Sequence, residues 1–174
     1  MIVTGCCRSG TATVAKLFDL RHEVQFNPKA SFQNLKDQHI HPEASWLATP
    51  FTSVIHGHSI IHLVRSPLSV ISSMAELDFW NDTVAKKYVD FIRKYLPIPS
   101  DFTDIQKSAY YWIYWNEPLE SYPRIHIEDI TTDIQLNQKV DVKTKQVTPE
   151  EITDAINTSG LKKEFWEKTK QYGY

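Results

Sequence analysis

Two short segments of this chain combine glycine, hydroxyl and arginine side chains in patterns that suit anion binding. The first segment is Gly5-Cys6-Cys7-Arg8-Ser9-Gly10-Thr11, which lies between a β-prone run and a helical pattern. In such a turn the backbone N–H groups converge on one point that can hold a phosphate. The two glycines have the spacing of the nucleotide P-loop, but Thr11 and Ala12 stand where that motif has its lysine and magnesium-binding hydroxyl. The pattern therefore favours a phosphate cradle over nucleoside triphosphate hydrolysis, with an ordinary tight turn as the alternative.

The second segment is Leu63-Val64-Arg65-Ser66-Pro67, followed by Ser73 eight residues after the arginine. An arginine at the carboxyl end of a buried strand points into the crevice where open α/β sheets bind their ligands. Taken alone, Arg65 fits a surface residue paired with a carboxylate. Taken with the first segment, it predicts a second anion site on the same sheet edge. Two anion sites indicate a nucleotide that carries two separated phosphates.

The elements that must position these segments alternate between strands and helices. Ser66-Pro67 is a typical helix start, and Thr148-Pro149-Glu150-Glu151 is a capping box. No element is predicted over 21–42, and the pattern from Glu43 is helical with an interruption at Pro50. The predicted strands are 1–4, 60–64 and 124–127, and the predicted helices are 11–20, 67–77, 82–95, 104–117, 149–157 and 162–170. Such alternation predicts a central parallel sheet with helices on both faces, a three-layer α/β/α fold.

Length and composition restrict the class of protein. The 174 residues predict a single domain over 1–174, and 41% apolar residues suffice for a buried core. Lysine and arginine (19) nearly balance aspartate and glutamate (21), which argues against a nucleic-acid partner. The adjacent cysteines exclude a disulfide framework, and no apolar stretch is long enough to span a membrane. We therefore expect a soluble, cytoplasmic protein.

A metal site is not predicted. The chain has no Asp-x-Asp pattern and no cluster of histidine and cysteine at ligand spacing. His56, His58 and His62 lack a second group of ligands, so we interpret them as core or surface residues.

In its motifs the chain resembles the sulfotransferases that use 3′-phosphoadenosine 5′-phosphosulfate (PAPS). Residues 4–11 are similar to their 5′-phosphosulfate loop, and residues 61–73 are similar to their 3′-phosphate motif, in the same order and spacing. The aromatic helix 110–116 and the strand 125–129 are similar to the later core of bacterial-type members. Cys7 stands where the family usually has proline, and Ala12 where it usually has a second threonine. The resemblance implies a P-loop NTPase-like fold.

The resemblance also implies roles for individual residues. Arg8 would contact the 5′-phosphosulfate near the bridging oxygen, and Arg65 with Ser73 would hold the 3′-phosphate. Glu43 would be the base that accepts the proton of the acceptor, with His41 as the second candidate for that role. The implied cofactor-binding residues are Cys7, Arg8, Ser9, Gly10, Thr11, Ala12, Arg65 and Ser73.

The predicted function is therefore transfer of the sulfuryl group from PAPS to a hydroxyl of a small-molecule, saccharide or lipid acceptor, with 3′-phosphoadenosine 5′-phosphate as product. Two alternatives stay open: a nucleotide or small-molecule kinase of P-loop fold, and a sulfotransferase-like module that binds without turnover. The sequence does not indicate which acceptor is used or which oligomeric state the chain adopts.

Overall fold

The computed structural model describes residues 1–35, 39–131 and 146–174. Within these ranges the chain forms five strands, eight α-helices and two 3₁₀ helices, the latter at Trp46–Val54 and Glu117–Leu119. The strands are β1 (Ile2–Thr4), β2 (Arg21–His22), β3 (Glu43–Ala44), β4 (Ile60–Val64) and β5 (Arg124–His126). The helices are α1 (Thr11–Leu17), α2 (Phe32–Leu35), α3 (Pro67–Glu76), α4 (Lys86–Tyr95), α5 (Asp104–Asn116), α6 (Ile127–Thr131), α7 (Pro149–Asn157) and α8 (Lys162–Gln171).

All five strands belong to one parallel sheet with the order β2-β3-β1-β4-β5. The central pair is set by Ile2 opposite Ile60 and Thr4 opposite His62. The predicted α/β class with a parallel sheet is confirmed. The three predicted strands are present with ends that move by one residue at most, whereas β2 and β3 are additional.

The chain divides into two compact units. The first contains residues 1–65 and 115–130 and holds the whole sheet, and the second contains residues 66–114 together with the described part of 131–174. The prediction of one domain over 1–174 stays a prediction.

In the first unit, apolar side chains of the sheet meet helix α1. The buried cluster consists of Val3, Val14, Ala15, Ala44, Leu63 and Ile127. On β1 the other face carries Thr4, whose hydroxyl bonds to Thr49 in the first 3₁₀ helix at 2.9 Å. Because β1 is covered on both faces, all three of its residues are buried.

In the second unit, the core includes the buried aromatic residues Tyr111 and Trp112 of α5. Trp112 is fully buried, with its ring 5.7 Å from that of Phe165 and 5.3 Å from that of Tyr172. Trp112 is therefore a core residue of this unit. Helix α7 begins with the predicted capping box, in which Thr148 and Glu151 bond each other's backbone N–H groups.

Several predicted helix boundaries are wrong. Glu43 lies in β3 and not at a helix start, and the segment that follows is a 3₁₀ helix capped by Ser45 with Pro50 inside it. Proline has no N–H to donate and its ring clashes with the preceding turn, which disfavours a regular α-helix there. Helix α1 ends at Leu17 instead of Leu20, and α4 begins at Lys86 instead of Asp82. Among the described residues, we find no helix with both the length and the apolarity needed to cross a bilayer.

Candidate functional site

The strand order creates a crevice at the carboxyl ends of β1 and β4. From β1 the chain turns towards β2 and β3 on one side, and from β4 it continues to β5 on the other side. Ligands of open α/β sheets bind at such a reversal of direction. Gly5 follows β1 directly, and Arg65 follows β4 directly. The topology thus places both predicted anion segments at one point.

The loop after β1 contains a hydrogen-bonded turn and two residues with a left-handed backbone. The Ser9 N–H donates to the Cys6 carbonyl at 3.2 Å and closes a four-residue turn. Arg8, the third residue of this turn, has φ 67°, and Gly10 has φ 100°. Turns with such left-handed residues form concave nests of N–H groups. For arginine this conformation costs about 1–2 kcal/mol, so the loop stores strain at Arg8.

Close packing restricts both glycines of the loop, and Gly10 also has a left-handed backbone conformation. A Cβ on Gly5 would lie 2.1 Å from the Leu63 carbonyl oxygen of β4. A Cβ on Gly10 would lie 2.7 Å from Cγ1 of Ile127. The sequence predicted a glycine-bounded turn, and the structure adds that the turn is pressed against β4 and the segment after β5.

A hydrogen bond joins the two predicted anion segments. Nη1 of Arg65 donates to the backbone carbonyl of Arg8 at 3.0 Å. The Arg8 side chain is exposed and Arg65 is half-buried, so a solvent-borne anion can approach both. The two arginines, 57 positions apart in sequence, therefore meet at one sheet edge.

The hydroxyls of the loop differ in their bonding. Ser9 is fully buried, and its Oγ has no hydrogen-bond partner among the described residues. Because an unsatisfied buried hydroxyl costs free energy, such a group indicates a place where a ligand or water completes the bonding. Thr11 Oγ1 lies 3.4 Å from Nε2 of His22. Ala12 is exposed and offers no hydroxyl.

Cys7 contributes no reactive thiol to the loop. Burial raises the pKa of its thiol, and the positive charge of Arg8 offsets only part of that effect. Neither cysteine is in a disulfide, and both thiols are protonated at neutral pH. The role of Cys7 in cofactor binding stays a prediction.

Sequence reasoning missed the role of Thr49. Its hydroxyl donates to the Gly5 carbonyl at 2.9 Å and is bonded by the hydroxyl of Thr4. These bonds brace the first residue of the loop against the 3₁₀ helix. No sequence signal identifies this contact, because 44 residues separate Thr49 from Gly5.

A buried polar group lies behind the loop. Nε2 of His62 is 3.1 Å from Oδ1 of Asn116, and the Asn116 amide also bonds the Cys6 thiol. Burial lowers the pKa of His62 to about 4 and raises the pKa of Cys6 to about 12. All three groups are therefore neutral, and the interpretation of His62 as a core residue is confirmed.

Glu43 is enclosed by the backbone of the segment after β2. Oε1 accepts the N–H groups of Val24 and Phe26 at 2.9 and 3.2 Å, and Oε2 accepts that of Gln25 at 2.9 Å. Burial raises the pKa of the carboxyl, and these three N–H groups oppose that shift. The side chain is fully buried, on the face of the sheet opposite α1. Its visible role is to anchor residues 24–26, and its role as a base stays a prediction.

His41, the second candidate base, lies just before β3 and is half-buried. Its backbone N–H donates to Oε1 of Gln25 at 2.7 Å, and its ring meets that of His39 edge-on at 4.9 Å. Partial burial and the charge of Arg21 lower its pKa. The imidazole is therefore neutral near pH 7 and able to accept a proton.

Ser73 lies in α3 of the second unit and is half-buried. Its predicted partnership with Arg65 stays a prediction. Among the residues with described positions, no three histidine, cysteine, aspartate or glutamate side chains are grouped as metal ligands.

Comparison with protein-family models, with curated proteins and with solved structures found no match for this chain. The assignment of a function therefore depends on the geometry of the two joined segments.

Proposed function

We propose that this chain is a P-loop-like sulfotransferase that binds PAPS and transfers its sulfuryl group to a hydroxyl. The observation that carries the proposal is the hydrogen bond from Arg65 to the Arg8 carbonyl, at the carboxyl ends of two adjacent parallel strands. It supports a single ligand with two anionic groups, because each segment alone suits one phosphate. The helices and the parallel sheet agree with the three-layer fold of the resembled family.

The residues of the loop fit a phosphosulfate. The unpartnered hydroxyl of Ser9 and the left-handed turn at Arg8 offer a donor and a nest of N–H groups for anionic oxygens. When bound, PAPS supplies a sulfuryl group attached to a phosphate that leaves readily. The guanidinium of Arg8 stabilises negative charge near the bridging oxygen without donating a proton. Arg65 binds the second phosphate and orients the nucleotide, with Ser73 as its predicted partner.

The acceptor hydroxyl must lose its proton as it attacks, and Glu43 or His41 is the proposed base. Burial of Glu43 raises its pKa towards the range that suits a base at neutral pH. His41 is more accessible and neutral. The contribution of the protein is otherwise positioning, because sulfuryl transfer needs little covalent chemistry from it.

The bonding of Glu43 favours a second candidate function, a module that binds the bisphosphate without turnover. Three backbone N–H groups occupy the carboxylate, so an acceptor reaches it only if residues 24–26 move. A kinase of P-loop fold is less well supported, since Thr11 and Ala12 replace the lysine and hydroxyl that such an enzyme uses.

Calorimetry with three ligands tests these functions. We expect 3′-phosphoadenosine 5′-phosphate to bind with micromolar affinity in the presence of a chelator, and ATP to bind at least tenfold more weakly with or without magnesium. ATP binding that requires magnesium would favour the kinase. Binding of the bisphosphate without sulfuryl transfer to any of a broad set of alcohols would favour the module. Absence of bisphosphate binding contradicts the proposal.

A further inference from the structure

The second unit contains a cavity of about 260 Å³ whose residues are distinct from the proposed nucleotide contacts. Its apolar walls include Met74, Phe79, Trp80 and Ile105, and its polar lining includes Asp78 and Asp104. A largely apolar cavity with a few convergent polar groups is the usual form of a small-molecule site. The volume suits a ligand of roughly ten non-hydrogen atoms or fewer.

The aromatic wall of the cavity is held in place by its surroundings. The indole N–H of Trp80 donates to the buried hydroxyl of Ser108 at 2.8 Å. The Trp80 ring also meets those of Phe79 and Tyr111 edge-on, at 5.5 and 6.3 Å. These contacts fix the orientation of the indole, so the wall is formed before a ligand arrives.

The two carboxylates of the lining are cross-linked by one amide. Nδ2 of Asn81 donates to Oδ1 of Asp78 and to Oδ2 of Asp104, at 2.8 Å in each case. Lys107 lies 2.8 Å from the other oxygen of Asp104. One carboxylate is thus paired with a cation, whereas Asp78 is exposed and bonded through Oδ1 alone among the described residues. The described residues of the lining therefore carry an excess of negative charge.

Asp78 also has a backbone conformation that side chains rarely adopt, with φ 47°. Phe79 and Trp80 follow immediately, and the Phe79 N–H returns to the Met74 carbonyl at 3.0 Å. This turn places a carboxylate and two aromatic residues of the lining within three consecutive positions. Backbone strain of this kind persists only where the surrounding contacts hold it.

We infer that this cavity binds a small organic ammonium ion, with its apolar body against Trp80 and its cation towards Asp78 and Asp104. An anion is disfavoured by the two carboxylates. A hydrated metal ion is disfavoured because apolar walls replace none of its water ligands. The inference does not depend on the proposed nucleotide site.

The test compares benzylammonium with benzyl alcohol, which has the same shape and no charge, by NMR titration of the intact chain. We expect a Kd of about 1 mM for benzylammonium, the usual order for a ligand of this size, and binding of the alcohol at least twofold weaker. The Trp80 indole N–H signal should shift on binding, and Trp80→Phe identifies that signal.

Two variants separate the contributions of charge and shape. Asp78→Asn removes the charge and keeps the size, and asparagine tolerates the left-handed backbone. It should weaken benzylammonium binding about two- to fivefold. Ala75→Leu adds a side chain that fills the lining and should weaken benzylammonium and benzyl alcohol alike. Asp101→Asn is the matched control, since Asp101 is exposed and does not line the cavity.

The inference is overturned if benzylammonium fails to shift the indole signal at 20-fold its expected Kd. It is also overturned if the alcohol binds as tightly as the ammonium ion, or if Asp78→Asn and Asp101→Asn have the same affinity. Loss of binding in Ala75→Leu with retained signal dispersion supports it, because dispersion shows that the variant is folded.

Discussion

Replacement of Arg65 by alanine removes the side chain that joins the two anion segments. Its contacts in the structure include the 3.0 Å hydrogen bond from Nη1 to the Arg8 carbonyl, and the proposal adds a contact with a phosphate. Arg65→Ala should therefore affect both the stability of the loop and the affinity for 3′-phosphoadenosine 5′-phosphate. The two effects differ in size and are measured separately.

The expected loss of affinity follows from the strength of a charge-assisted hydrogen bond. Removal of such a contact costs about 1.5–3 kcal/mol, which corresponds to a roughly 10- to 150-fold rise in Kd. The bond to the Arg8 carbonyl is partly exposed and contributes about 0.5–1.5 kcal/mol to folding. For a chain of this size the melting temperature should fall by roughly 1–6 °C. A folded protein with weak binding is the expected outcome.

Calorimetry at fixed ionic strength measures the affinity, and circular dichroism measures the melting temperature. Arg93→Ala is the matched control, because Arg93 is an exposed arginine of α4 and its loss changes the net charge equally. Arg65→Lys should give an intermediate affinity, since lysine keeps the charge without the planar fork of donors. The proposal is refuted if Arg65→Ala binds the bisphosphate within twofold of Arg93→Ala.

Three further substitutions probe the loop and the candidate base. Gly5→Ala should cost about 1–3 kcal/mol or more of folding free energy, because its Cβ would lie 2.1 Å from the Leu63 oxygen. Gly160→Ala is the control, since a Cβ there meets nothing within 4 Å, and equal melting temperatures of the two variants would contradict the reasoning. Arg8→Gly relieves the strain of φ 67°, but glycine also adds unfolded-state entropy, so the melting temperature should change by less than about 3 °C. Bisphosphate affinity should fall about tenfold or more, and unchanged affinity would show that Arg8 is not part of the site. In Glu43→Gln an amide N–H₂ group faces the backbone N–H donors, so the melting temperature should fall by roughly 3–10 °C. Sulfuryl transfer should fall at least 10²-fold, and transfer at the wild-type rate by the folded variant would show that another residue is the base.

Local sequence patterns determined much of the framework. The sequence predicted the short strands β1, β4 and β5, and the capping box predicted the start of α7. Each of these features depends on residues within a few positions of one another. The ends of the elements were harder to predict. The form of the segment around Pro50 and the pairing of the short strands β2 and β3 depend on contacts with residues that are distant in the chain.

Part of the candidate site was also accessible from the sequence. The glycine spacing indicated a turn that holds an anion, and the strand-arginine-proline pattern indicated where Arg65 would lie. Their meeting at one edge followed from the general behaviour of parallel strands. The unpartnered hydroxyl of Ser9 and the brace from Thr49 had no sequence signal, because hydrogen bonding depends on which groups surround each atom.

The sequence by itself determined the alternation of strands and helices, the glycine turn and the residue types that stand at the strand ends. Only the tertiary structure decided that Glu43 is buried under residues 24–26, and that a carbonyl of the first segment receives the guanidinium of the second. These partners lie 17 to 57 positions apart. Such contacts form only when strands pair across the sheet, and strand pairing is a property of the whole folded chain.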